Sequence, residues 1–77
     1  MNNDKELFNL AKMYVVLSNE LERRLPPESE LEEIKESLED IRNTLLEKNY
    51  DVNQFLYYQH LYRNMSIKEY FDFIKKL

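Results

Sequence analysis

Apolar side chains recur along this chain in four stretches, each at the three-and-four spacing of one helix face rather than the alternation of a strand. In the first, Leu7, Leu10, Tyr14, Leu17 and Leu21 make one stripe, Ala11 and Ser18 widen it, and Leu25 extends it. Phe8, Val15 and Val16 fall outside that stripe. The second is stricter: Leu31, Ile34, Leu38, Ile41 and Leu45 stand at heptad spacing with charges almost everywhere else, the pattern of an outer helix with one buried seam. In the third, a rotation of about 100° per residue gathers Val52, Phe55, Leu56, Gln59 and Tyr62 on the expected inner side, with Tyr58 at its margin. His60 faces the other way, beside Asn53, Tyr57 and Asn64. In the fourth, Ile67, Tyr70, Phe71, Ile74 and Leu77 share a face, and Lys75 with Lys76 complement the negative end of the helix dipole.

Start and stop signals divide the chain at the same places. Asn3 with Glu6, Ser29 with Glu32, Asp51 with Gln54, and Ser66 with Glu69 each have the spacing of a capping box, in which a short polar side chain accepts from an orphan amide and the later one reaches back. Tyr50 with Phe55 and Met65 with Tyr70 add hydrophobic staples to the last two. Pro26 and Pro27 end the first helix, and Asn49 and Asn64 follow Lys48 and Arg63 where a left-handed residue would close the next two.

Composition reinforces this reading. Glycine is absent and proline occurs only at Pro26 and Pro27, so almost nothing supplies the positive-φ turns that hairpins require. The expectation is an all-α fold, a small antiparallel four-helix bundle whose third and fourth helices are short, forming a single domain over residues 1–77. A chain of this size has a stability on the order of 5 kcal/mol. Cysteine is absent, which removes disulfides, thiolate nucleophiles and sulfur-based zinc sites. No apolar run approaches the roughly 20 residues of a membrane span, and the N-terminus lacks a basic run leading into an apolar segment. The default expectation is a soluble cytoplasmic protein.

Net charge is −4 and unevenly spread: residues 28–51 carry nine acids against three bases, while residues 52–77 carry two acids against four bases. Glu30, Glu33, Glu36, Glu39 and Asp40 form either a solvated helix exterior or an acidic surface that steers a basic protein into place. Such a surface repels phosphate backbones, so no nucleic acid is expected on it.

The segment QFLYYQHLYRN holds the chain's only histidine among three tyrosines. A catalytic histidine needs an orienting carboxylate and a nucleophile. The nearest acids in sequence are Asp51, on another face, and Glu69, in another helix. No second histidine or Glu-x-x-His spacing provides a metal set. No catalytic residue, metal or cofactor is therefore expected, and His60 reads as a rim residue. Tyr57, His60 and Leu61 instead make an outward patch of amphipathic side chains, the types that anchor protein contacts. Phe8 and Val15, outside the main stripe, either meet a second neighbour within the fold or form a dimer or target interface.

The stretch LEEIKESLEDIRNTLLEKNYDVNQFLYYQHLYRN followed by SIKEYFDFIKKL is similar to the latter three helices of the immunity proteins of class II bacteriocins, in pattern and spacing rather than through a diagnostic motif. That resemblance implies a helical bundle protecting a producer cell by binding a protein, with peripheral membrane association as a corollary. A tail beyond the fourth helix contributes to recognition in that family, whereas this sequence ends at Leu77. The expected specificity surface then lies in the helices or is reduced.

The leading functional expectation is a non-enzymatic protein that binds and restrains a protein partner, as an immunity protein, antitoxin or inhibitor does. Its candidate contacts are Glu30, Glu33, Glu36, Glu39, Asp40, Tyr57, His60 and Leu61. One alternative is a small DNA-binding regulator using helices 3 and 4, with Arg63, Lys68, Lys75 and Lys76 as its positive charge; against it, IKEYFDF offers mostly aromatics and acids toward base edges. Another is a structural bundle acting as a homodimer that hides Phe8 and Val15.

Overall fold

The computed structural model describes residues 3–23 and 27–77. They form four helices, α1 (Asn3–Arg23), α2 (Glu28–Glu47), α3 (Val52–Asn64) and α4 (Ile67–Lys76), with no strand among the described residues. The fold is all-α, and the last two helices are short, at 13 and 10 residues.

The helix boundaries test each expected signal. Ser66 heads a complete capping box: its hydroxyl accepts from the Glu69 amide at 3.2 Å and the Glu69 carboxylate accepts from the Ser66 amide at 2.9 Å. Those bonds favour the ionised form, so the Glu69 carboxyl lies below its ordinary range. Asp51 caps α3 by accepting from the Asn53 amide at 2.9 Å. Asn49 takes the left-handed conformation with φ of 55°. The Tyr50 amide then donates to the Leu45 carbonyl at 3.0 Å and the Asn49 amide to the Leu46 carbonyl at 3.2 Å. This is the Schellman arrangement that satisfies the last carbonyls of a helix.

Three signals read differently in the structure. Ser29 makes no cap, because α2 starts at Glu28 behind the extended Pro27 (ψ 154°), whose carbonyl accepts from the Leu31 amide at 2.9 Å. Proline fixes its own φ and starts this helix rather than only ending the previous one. Asn64 is not left-handed: it remains in α3, the extended Met65 follows it, and its side-chain amide donates to the His60 carbonyl at 2.8 Å. Glu6 reaches toward α2, as described below. The Asn3 side chain, Leu25 and Pro26 lie outside what the structure describes.

The core gathers on α1. Leu7, Phe8 and Ala11 are buried together with Ile41 and Leu45 of α2 and Phe55 and Tyr58 of α3. Tyr70, Phe73 and Ile74 of α4, and Leu77 just after it, pack against that cluster without any of them being fully buried. Phe8 and Val15, expected outside the main stripe, are the most deeply buried large side chains, at 0% and 2% exposure. The Phe8 ring lies among four aromatic rings: Tyr58 edge-on at 5.5 Å, Tyr62 at 6.3 Å, Tyr70 stacked at 6.1 Å, and Phe73 at 4.8 Å. A second set of neighbours inside the chain therefore takes up that strip, and the homodimer reading loses its motive.

Polar ties complete the packing on both flanks of α1. The Glu6 carboxylate accepts from Lys48 Nζ at 2.8 and 2.9 Å and from the Tyr50 hydroxyl. The Tyr14 hydroxyl accepts from Arg42 at 3.5 Å. Residue numbers thus rise along α1 as they fall along α2. On the other flank Lys12 donates to the Tyr70 hydroxyl at 2.8 Å, and its ammonium lies 4.6 Å from the Tyr70 ring centroid. Leu10 borders Ile41 and Thr44 of α2, and at about 100° per residue Leu10 and Lys12 project on opposite sides of α1, so the acidic α2 and the lysine-bearing α4 flank it from opposite directions. The Cα extents are 38 × 31 × 17 Å. With helices packing about 8–10 Å apart, the short dimension holds two layers and not three.

Candidate interaction surfaces

Each expected contact residue can now be located. Glu30, Glu33, Glu36, Glu39 and Asp40 are all exposed on α2. The inward seam of that helix is Leu38, Ile41 and Leu45, with Leu31 and Ile34 half-buried. The acids wrap around the remaining circumference, so they act as a diffuse negative field rather than a compact site. Tyr57 and His60 are exposed as expected, and the Tyr57 ring leans on Tyr58 with centroids 6.1 Å apart. Leu61 is corrected: it is half-buried and packs against the core. The outward patch therefore loses its aliphatic member.

The neighbour of His60 is an amide. Asn64 Nδ2 lies 3.4 Å from Nε2 and 3.5 Å from Nδ1 while donating to the His60 carbonyl. That geometry holds the ring near the surface of its own helix. Among the described residues no group of three metal-ligating side chains converges.

The larger correction concerns α3. Val52 and Leu56, expected on the inner side, are 57% and 54% exposed, whereas Tyr58, placed at the margin, is buried beside Phe55. Helix α3 is rolled so that Tyr58 and Tyr62 meet Phe8 and Phe55 meets Tyr14, because the aromatic rings offer more area to bury than the aliphatics do. A similar roll in α4 leaves Ile67 and Phe71 exposed and turns Phe73 inward.

This roll creates a surface that the sequence pattern did not show. Val52 and Leu56 of α3 face Leu46 of α2, which is 78% exposed, across a trough of about 380 Å³. Its floor is Tyr14, Leu45 and Phe55, with the Tyr14 and Phe55 rings edge-on at 5.6 Å. Arg42 and Gln59 supply the polar positions. The one available signal was the adjacent pair Leu45 and Leu46: only one of two neighbouring leucines can face a single seam.

The chain matches no family model, no curated protein and no solved structure at a significant level. Among the described residues no helix is long and apolar enough to cross a membrane.

Proposed function

We propose that this protein binds and restrains a protein partner without catalysing a reaction, in the manner of immunity proteins, antitoxins and small inhibitors. The observation that carries this reading is the trough, where Leu46, Val52 and Leu56 stand uncovered beside one another over a floor of buried side chains. A small fold rarely leaves contiguous apolar surface in water, and such patches rimmed by polar residues mark protein contacts. The exposed acids of α2 support the same reading by attracting a partner of opposite charge before contact. The patterned likeness of residues 31–64 and 66–77 to bacteriocin immunity proteins favours self-protection as the form of that restraint.

Affinity-tagged protein expressed in its native host tests this proposal. One identified protein should be retained in amounts comparable to the bait, and raised salt should weaken its capture. Recovery of no protein above a mock purification would overturn the proposal. Reversal of charge in E33K/E36K should reduce capture at low salt; unchanged capture would remove the acidic surface from the account.

A further inference from the structure

Three depressions border exposed apolar side chains: the trough beside Leu46, Val52 and Leu56, one on α1 beside Met13 and Val16, and one at the start of α4 beside Ile67. Their linings differ in charge. The trough holds one charged side chain, Arg42, which donates to the Tyr14 hydroxyl, and its aliphatic walls select no particular occupant. The depression on α1 holds only Lys12, which donates to the Tyr70 hydroxyl. The third, of about 280 Å³, has Val15, Met65 and Tyr70 as its apolar surface, Asn19 as an amide, and the exposed Arg63 as its one charge.

Around that third depression bases and apolar side chains alternate. Lys12 stands at Tyr70 on the α1 side, and the exposed Lys68 follows Ile67. At about 100° per residue Ile67, Phe71 and Lys75 lie within about 80° of one another on α4, with Lys68 just past them. The acids of α4 lie elsewhere: Glu69 and Asp72 border another depression, shared with Leu61 and Phe73, and Glu69 is held in the cap with Ser66. Past Asn19 the end of α1 offers one charge of each sign, Glu22 and Arg23, and Glu20 projects about 100° away from Asn19. Helix α2, with eight acids between Glu28 and Glu47, flanks α1 from the other direction.

We propose that this face of α4 receives an acidic amphipathic helix of a protein, which seats one apolar side chain in the depression beside Ile67, a second against Phe71, and carboxylates on Arg63, Lys68 and Lys75. It is a surface apart from the trough, and either can fail alone. Ile67 and Phe71, 78% and 54% exposed, stand one turn apart and so match anchors at i and i+4 of a docked helix. Local charge sets the sign of its polar flank. A nucleic-acid backbone would meet the bases but gain nothing from Ile67 and Phe71. An anionic bilayer would take up those two side chains, yet it has no protruding group to fill the recess, whose Asn19 and Arg63 need directional partners. A second copy of this chain would offer the acids of α2, but Leu46 is the one large apolar side chain that helix exposes, so the paired anchors are missing.

The test uses the full chain labelled with nitrogen-15 and two synthetic 18-residue peptides of helical pattern, one of Leu and Glu, the other of Leu and Lys. The Leu/Glu peptide should shift the amides of Asn19, Arg63, Ile67 and Phe71, and added salt should weaken it. R63E/K68E changes two exposed residues, should keep the helical circular dichroism signal, and should lose at least tenfold in affinity for that peptide. I67S/F71S should lose at least fivefold, whereas L46S/L56S in the trough should stay within twofold of wild type. No saturable shifts with the Leu/Glu peptide, a footprint centred on Leu46 and Leu56, the same α4 footprint from the Leu/Lys peptide, or full affinity in either α4 double variant would each overturn the assignment. So would a short DNA duplex that binds this face more tightly than the peptide, flotation on anionic vesicles that I67S/F71S abolishes, or a wild-type dimer in sedimentation that R63E/K68E dissociates, because each gives the face to another occupant. Capture of no partner from the native host would end the binding function proposed above, while the peptide footprint, read on pure protein, decides this face by itself.

Discussion

Helices α2 and α4 flank the same central helix and are held to it by different means. Helix α2 runs 20 residues and buries an aliphatic seam, Leu38, Ile41 and Leu45, with its end fastened by Lys48 to Glu6. Helix α4 runs 10 residues, buries no side chain completely, and is held by Tyr70 and Phe73 against Phe8 and by Lys12 at the Tyr70 hydroxyl. A helix that short is not stable alone in water. Its order depends on the aromatic cluster, whereas α2 spreads its anchoring over several turns. The comparison locates the structural centre of the molecule at Phe8, because removing that ring takes partners from α3 and α4 at once.

Phe8→Ala should therefore have the largest effect, about 3–5 kcal/mol for a buried aromatic, which approaches the whole stability of a domain of this size. Urea unfolding would show it, and a midpoint close to wild type would break the comparison. Leu38→Ala deletes part of the α2 seam and should fall toward the lower end of the ~2–5 kcal/mol typical of such changes. Its near-ultraviolet tyrosine signal should remain, since the rings around Phe8 are untouched; loss of that signal would show that the two flanks are not separate. Ser66→Ala removes the cap of α4 and should cost about 1 kcal/mol. Ser29→Ala, in the first turn of α2 with no cap bond, should stay within about 0.5 kcal/mol. Equal effects of the two serine changes would contradict the helix starts described here.

The smallest effect concerns the exposed tie of α1 to α2, and its size depends on pH. Hydrogen bonds first from Lys48 and then from Tyr50 hold the Glu6 carboxyl below its ordinary value of 4.5. Its contribution is complete above that value and is lost as pH falls through the lower folded value. The Glu6 hydrogen bond conversely holds Lys48 above 10.5 and Tyr50 above 10.0. Their contributions are complete below those values and disappear as pH rises through the raised ones. Glu6→Gln should lower the melting temperature slightly around neutral pH, where the tie is fully formed, and converge with wild type at both extremes, so that both limbs of the profile flatten. An unaltered profile would mean the tie is not formed in solution.

The same contrast explains what the sequence revealed. In α2 nearly every outward position is charged, so the inward seam was unambiguous and its five positions are the ones that turn inward. Caps at Asp51 and Ser66 and the left-handed Asn49 were also legible, since each depends on its own few residues. In α3 the competing faces hold Tyr, Asn, Gln, His and Leu, and tyrosine suits either a core or a surface. With so little contrast, the periodicity placed Val52 and Leu56 inside and Leu61 outside, and the reverse holds. What decides the roll is Phe8, 50 residues away from its α3 partner Tyr58 in sequence, and such a long-range demand leaves no local mark. The trough was hidden for the same reason: it exists only because α3 turns its rings toward Phe8.

Methyl-resolved solvent paramagnetic relaxation on the full chain tests most directly the claim that the uncovered apolar surface lies between α2 and α3. The structure predicts strong enhancement at the Leu46, Val52 and Leu56 methyls and protection at Val15 and Leu7. Protected Leu46 and Leu56 methyls beside an accessible Val15 would contradict it.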